Sequence, residues 1–188
     1  DYMGADYYQS EQHFVSSLRD ATFAAPVAEV KTDQILEWCG KCSVSKHGLA
    51  RLQAASALQR LPLEARWPIA TALAKHAEDA NDRQQPLMIW YGIEPAVAAE
   101  PMKGVELIRE AKIPTVRRLV ARRIAEMIED KPEAVDALVA LMSERADVRG
   151  DVLAGMAAGL EGFSSAKKPK GWDEFVVRAS ARSGEGDD

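Results

Sequence analysis

Strand signals are nearly absent from this chain. No run alternates apolar and polar residues with period two, and no Asn-Gly or Asp-Gly pair marks a hairpin. No stretch approaches the roughly 20 uninterrupted apolar residues that a membrane-spanning helix needs. No basic segment followed by an apolar core stands at the N-terminus, so no signal peptide is visible. The chain opens on Asp1-Tyr2-Met3 and reads as a piece of something longer, which leaves its compartment open. Cysteine is scarce as well, and two cysteines make no disulfide framework. Net positive charge is lacking: 24 Lys and Arg against 29 Asp and Glu give −5. A chain of that balance has no global attraction for nucleic acid or anionic membranes, although a local basic patch is compatible with it.

What is present is ordinary globular composition, 47% hydrophobic and 28% charged, in a chain of 188 residues. That length suffices to bury a core. Apolar residues recur at helical spacing, punctuated by proline and polar turns. Leu49, Leu52, Ala55 and Leu58 predict one stripe, and Ile69, Leu73 and Ala77 the next, before the polar turn Glu78–Gln84. Pro86, Pro101, Pro114 and Pro132 each suit a first helical position, where the missing N–H has no intrahelical partner anyway. The third of these helices is expected over 114–130, and Pro95 is expected to kink the first. Asp147 has the character of an N-cap for a helix carrying Val148, Val152, Met156 and Leu160. A basic loop, Lys167–Gly171, leads to a last short helix around Trp172, Phe175 and Val176.

The first members of these helix pairs begin near positions 48, 86, 114 and 147. The spacing of roughly 30 to 40 residues is that of two-helix repeats. Thr115-Val116-Arg117 and Asp147-Val148-Arg149 share a signature, with a looser copy at Leu49-Ala50-Arg51. A Val-Arg pair near the start of one helix resembles the HEAT consensus. The expected fold is therefore all-α, a HEAT or armadillo-like α-α superhelix, that is, a right-handed solenoid of antiparallel helix pairs. Each pair leaves an apolar face uncovered, so neighbours stack and share one core. Residues 45–182 hold about four pairs. Residues 1–44 form a helical cap or truncated repeat, with helices around Phe14 and Leu18 and around Ile35, Leu36 and Trp38. Residues 183–188 form a tail with nothing to bury, expected to be disordered.

Four clusters are candidates for chemistry. Cys39-Gly40-Lys41-Cys42 has the spacing of a metal-ligand or redox pair, with His47 as a third ligand. Ser43 stands where a haem-attachment motif needs histidine, and no βαβ context supports a thioredoxin-like reading. The plainer reading places two small side chains at a helix C-terminus, one buried and one at the turn, with no metal and no cofactor. Arg117, Arg118, Arg122 and Arg123 form a basic stripe for phosphates, or a solvated face paired with Glu126 at i,i+4 spacing. Trp90, Tyr91 and Glu94 share a helical face with Leu87, which puts a carboxylate among apolar groups. Such a carboxylate needs a partner, and Arg123 on the next repeat is the candidate; the alternative is that these residues line a ligand groove. The Lys167–Gly171 loop reads as a solvated turn that is also suited to an acidic partner.

The stretches Ser56–Pro62, Arg66–Ala70, Pro86–Pro95, Gly155–Leu160 and Gly171-Trp172 resemble the HEAT-repeat region of planctomycete-type multidomain membrane-bound dehydrogenases, also described as haem-binding C-x-x-C-H proteins. The resemblance covers roughly residues 45 to 178. It implies a sugar-dehydrogenase-type propeller before the repeats, a cytochrome c-like domain after them, and an exported, extracytoplasmic parent. This chain carries neither a propeller nor a haem motif, so any redox activity belongs to absent domains and no catalytic residue transfers. The expected function is a non-catalytic scaffold that contacts neighbouring domains or a protein partner, with no nucleic acid and no membrane insertion by this segment. The rival is a HEAT-like nucleic-acid-binding protein or a DNA glycosylase-type enzyme.

Overall fold

The computed structural model describes residues 32–183. It falls into two units, Asp1–Trp38 and Cys39–Asp188. Of the first, only the opening turns of helix α1 (Thr32–Ser43) lie among the described residues; the helix expected around Phe14 and Leu18 lies outside them, as do residues 184–188.

In the second unit, α1 is followed by α2 (Gly48–Ala57), α3 (Leu63–Ala74), α4 (Gln85–Ala99), α5 (Pro101–Glu110), α6 (Pro114–Ala125), α7 (Pro132–Glu144), α8 (Arg149–Gly159) and α9 (Trp172–Ser183). Short 3₁₀ turns cover Leu58–Arg60, Ala77–Asp79 and Ala146–Val148. No strand occurs among the described residues, and the fold is all-α. Proline stands in the first turn of α4, α5, α6 and α7, as its fixed φ and missing donor favour. The α4 helix runs through Pro95 to Ala99.

The packing has a regular order. Among the even-numbered helices, α2 packs on α4, α4 on α6 and α6 on α8; among the odd-numbered ones, α3 packs on α5, α5 on α7 and α7 on α9. Between the rows, α2 meets α3, α4 meets α5 and α6 meets α7. Leu58, Leu73, Ile89, Ile93, Leu107, Ile108, Ile124 and Leu138 are fully buried between the helices. Each such side chain contributes roughly 1.5–3 kcal/mol relative to exposure.

Polar contacts repeat with the same step. His76 Nε2 lies 3.0 Å from the Ser43 carbonyl, 33 residues away. Arg109 donates to Glu144, 35 residues on, at 2.8 Å, and Arg145 donates back to the Arg109 carbonyl at 3.3 Å. Between them, Lys75 pairs with Glu110 at 2.9 Å, and the Lys112 N–H donates to the Ala74 carbonyl at 2.7 Å. These rungs tie the C-terminal ends of α1, α3, α5 and α7 in sequence. At the opposite ends of the odd helices, the Trp67 indole donates to Glu100 at 3.3 Å, Lys131 to the Ala99 carbonyl at 3.3 Å, and the Lys170 N–H to Asp136 at 2.7 Å. The hydrogen-bonded partners of both edges stand 32 to 36 residues apart, apart from the Lys112 bond.

Helices α6 and α8 cross in close backbone contact. Gly155 and Gly159 face α6 one turn apart on α8, and a Cβ on either would run into backbone, the Arg118 carbonyl in one case and the Arg122 carbonyl in the other. Only glycine lets the two backbones approach so far.

Several local expectations are corrected. Helix α6 ends at Ala125 rather than near residue 130; the chain turns through Glu126–Asp130 while still burying Met127 and Ile128. Asp147 caps nothing, because both of its carboxylate oxygens are taken by Arg145, at 2.8 and 2.7 Å, and α8 begins at Arg149. Leu49, expected in the core stripe of α2, is 65% exposed, while Arg51 is 2% exposed. The inward position belongs to a charged residue, which hydropathy periodicity assigns to the surface. Ala77, expected on the next stripe, lies beyond the end of α3 and is exposed. Ser183, expected at the start of the tail, closes α9.

Candidate functional site

The Val-Arg signature acquires a physical meaning in the structure. Arg51, Arg117 and Arg149 all stand at the starts of even-row helices and reach inward or across to neighbouring segments. Arg51 donates from Nε and Nη2 to Asp79 at 2.6 and 2.5 Å, and from Nη1 to the Ser45 carbonyl at 2.8 Å. Arg149 donates to the Met142 carbonyl at 2.6 Å. Arg117 Nε lies 2.9 Å from Asp151, with the N–H not directed along the contact, so the two meet as charges rather than through a hydrogen bond. These arginines tie down the entries of α2, α6 and α8; α4 has none.

The expected cluster of Trp90, Tyr91, Glu94 and Arg123 is partly assembled. Glu94 meets Arg123 across α4 and α6, Oε1 to Nε at 2.8 Å, again as a charge contact with poor N–H alignment. Arg123 also donates to Glu126 at 3.3 Å. The environment differs from the expected apolar burial: the two side chains are 31% and 35% exposed, and Leu87 and Tyr91 on the same face are 39% and 56% exposed. The core face of α4 is instead Ile89, Gly92, Ile93, Ala96 and Val97. Gly92 allows the helix to press on Leu58, where a Cβ would clash with the leucine side chain. The Leu87–Tyr91–Glu94 face is therefore solvent-facing, with Trp90 half-buried beside it. Such an ion pair is worth about 0–1 kcal/mol.

Toward α2, Leu87 and Tyr91 line a shallow groove of about 350 Å³ with Leu52, Ser56, Arg83, Gln84 and Met88. Sequence reasoning did not single out Arg83 or Leu52 for this groove, because neither belongs to a motif and the groove forms between helices about 35 residues apart in the chain. The arginine stripe of α6 is divided. Arg122 donates to Glu126 at 3.0 Å, and Arg118 donates only to the Thr115 hydroxyl, at 3.3 Å.

Cys39 and Cys42 both lie toward the C-terminal end of α1 and are both buried, at 0% and 8% exposure; no disulfide joins them. Burial, with the neighbouring Cys42 adding to it, pushes the Cys39 thiol up to about 11. His47 is exposed at the N-cap of α2. No group of three or more His, Cys, Asp and Glu side chains is placed to hold a metal among the described residues. The basic loop folds onto α7: Lys168 pairs with Asp173 at 2.6 Å, Lys170 is held by Asp136, and a cavity of about 190 Å³ remains beneath them. No described helix is long and apolar enough to cross a membrane.

These features define an all-α protein whose candidate site is the exposed Leu87–Tyr91–Glu94 face of α4 and the groove beside it. No known protein family, curated protein or solved structure matches the chain.

Proposed function

We propose that this chain is a non-catalytic HEAT-type helical-repeat module that spaces neighbouring domains and offers its even-row surface to a protein partner. The observation that carries the proposal is the set of polar rungs 32 to 36 residues apart, running along both ends of the odd helices. A repeated unit that buries its apolar face only against its neighbours produces contacts at one-repeat separation, again and again. The signature arginines support the same reading, since Arg51, Arg117 and Arg149 stand in the first turns of α2, α6 and α8, although α4 has no counterpart.

The scaffold role is supported by what the charged groups do. Arg51 engages Asp79, Arg117 faces Asp151 and Arg123 faces Glu94, so these ions hold helices to one another rather than converging on a cavity. In this proposal the parent is a larger, exported oxidoreductase-like protein, whose chemistry resides in other domains. The reading frame containing this chain tests it. Flanking propeller-type and C-x-x-C-H segments support the proposal; a start codon just upstream and a stop codon just after Asp188 contradict it.

A further inference from the structure

Charge is unevenly distributed between the two rows. The even helices carry Arg51, Arg117, Arg118, Arg122, Arg123 and Arg149 against only Glu94 and Asp151. The odd helices hold most of the helical acid, including Glu64, Glu106, Glu110, Glu133, Asp136 and Glu144. Of these arginines only Arg118 and Arg122 are exposed, both on α6, whereas Arg51 is buried against Asp79 and Arg117 is largely covered beside Asp151. Arg122 and Arg123 share Glu94 and Glu126, whereas neither Arg83 nor Arg118 pairs with a carboxylate among the described residues.

Arg83 stands in the lining of the α2–α4 groove, which contains no acid. The adjacent Asp82 spends its Oδ1 on the backbone N–H groups of Gln84 and Gln85, at 2.8 and 2.7 Å. The rest of the lining is Leu52, Leu87, Met88 and Tyr91 with the polar Ser56 and Gln84, and Leu49 continues the apolar strip one turn away at 65% exposure. A tyrosine, a methionine and an arginine without a carboxylate partner among the described residues are residue types enriched at protein-binding surfaces, and the leucines beside them add apolar area. An apolar trough between two helices accepts one face of a third helix, through anchors at i, i+3 or i+4, and i+7. Phosphate recognition asks for donors rather than this leucine-lined floor.

We propose that the α2–α4 groove binds an amphipathic acidic helix of a partner protein, its apolar face on Leu52, Leu87 and Tyr91 and an Asp or Glu on Arg83. Arg118 and Arg122, one helix further along the row, add to the field that draws the acidic partner in. This inference rests on the docking role proposed above and names the chemistry of the partner.

The test is selection of a displayed library of 16-residue helical peptides against the full chain, followed by titration of the enriched peptides. Expected binders carry apolar residues at helical spacing with Asp or Glu, and weaken as salt rises. Arg83→Glu and Tyr91→Ala each weaken them at least tenfold, and circular dichroism shows both variants folded, as substitutions at exposed positions predict. Binders that are basic, or that ignore both substitutions, overturn the groove assignment while leaving a docking module intact. A library that yields no binder overturns the docking role as well. Salt-sensitive binding of a duplex oligonucleotide, lost in Arg83→Glu and Arg118→Glu, overturns the choice of a protein partner.

Discussion

Asp79 grips Arg51 with both carboxylate oxygens, at 2.6 Å to Nε and 2.5 Å to Nη2, across 28 residues of chain and with both side chains buried. The pair joins the start of α2 to the turn that precedes α4. Hydrogen bonding to Asp79 is the largest influence raising the Arg51 pKa, and it outweighs the lowering effect of burial.

Removing one member of such a pair leaves the other charge buried and alone. Asp79→Ala is expected to cost about 3–5 kcal/mol. A double replacement by apolar residues of similar volume, Arg51→Met with Asp79→Leu, is expected to cost less than either single change. Urea unfolding of the three variants checks this. Equal and small losses in all three contradict the account of Arg51 as an inward lock.

Two glycines of α8 predict effects of opposite sign. Gly155→Ala puts a methyl against the Arg118 backbone, which no side-chain rotation relieves. Its overpacking cost of about 1–3 kcal/mol exceeds the roughly 1 kcal/mol that alanine gains over glycine as a helix former. Gly150→Ala meets nothing within 4 Å and is expected to stabilise by about 0.4–1 kcal/mol. Thermal unfolding of the two variants should move in opposite directions.

The two hydrogen bonds from Arg145 hold the Asp147 carboxyl down to about 2. A depressed carboxyl contributes stability that is fully present above its ordinary value near 3.8 and is lost as pH falls through about 2. An NMR titration of the Asp147 carboxyl should give that low midpoint, and Arg145→Ala should return it to the ordinary range. An unchanged midpoint in the variant rules out Arg145 as the cause.

The Cys39 thiol, pushed up to about 11 by burial, is expected to resist alkylation in the folded chain at pH 8 and to react once the chain is unfolded. Reaction of Cys39 with a thiol reagent at the rate of a small-molecule thiol, under native conditions, contradicts its burial.

Helix existence was legible in the sequence wherever proline and apolar periodicity agreed, as at Pro86, Pro101, Pro114 and Pro132. The pairing of Glu94 with Arg123 was legible too, because a carboxylate beside aromatics demands a partner. Its exposure was not: Leu87, Trp90 and Tyr91 read as a core face, while Ile89, Gly92, Ile93, Ala96 and Val97 take the interior. Periodicity weighs each residue by hydropathy alone. It therefore turned Leu49 inward and Arg51 outward, since nothing in the run Glu78–Gln84 announces that Asp79 is the counter-ion. Asp147 was misread for a related reason: a side chain suited to an N-cap has another suitor two residues away in Arg145. The groove containing Arg83 arises only from the packing of α2 on α4, a relationship that no local pattern carries.

The central claim is that the chain is an array whose units are stabilised mainly by their nearest neighbours. Hydrogen exchange, compared helix by helix between the parent chain and Gly155→Ala, tests it most directly. The account predicts that protection falls in α6–α9 and is retained in α2 and α3; an equal loss of protection in every helix would contradict it, because a single cooperative core transmits one local clash to all of its parts.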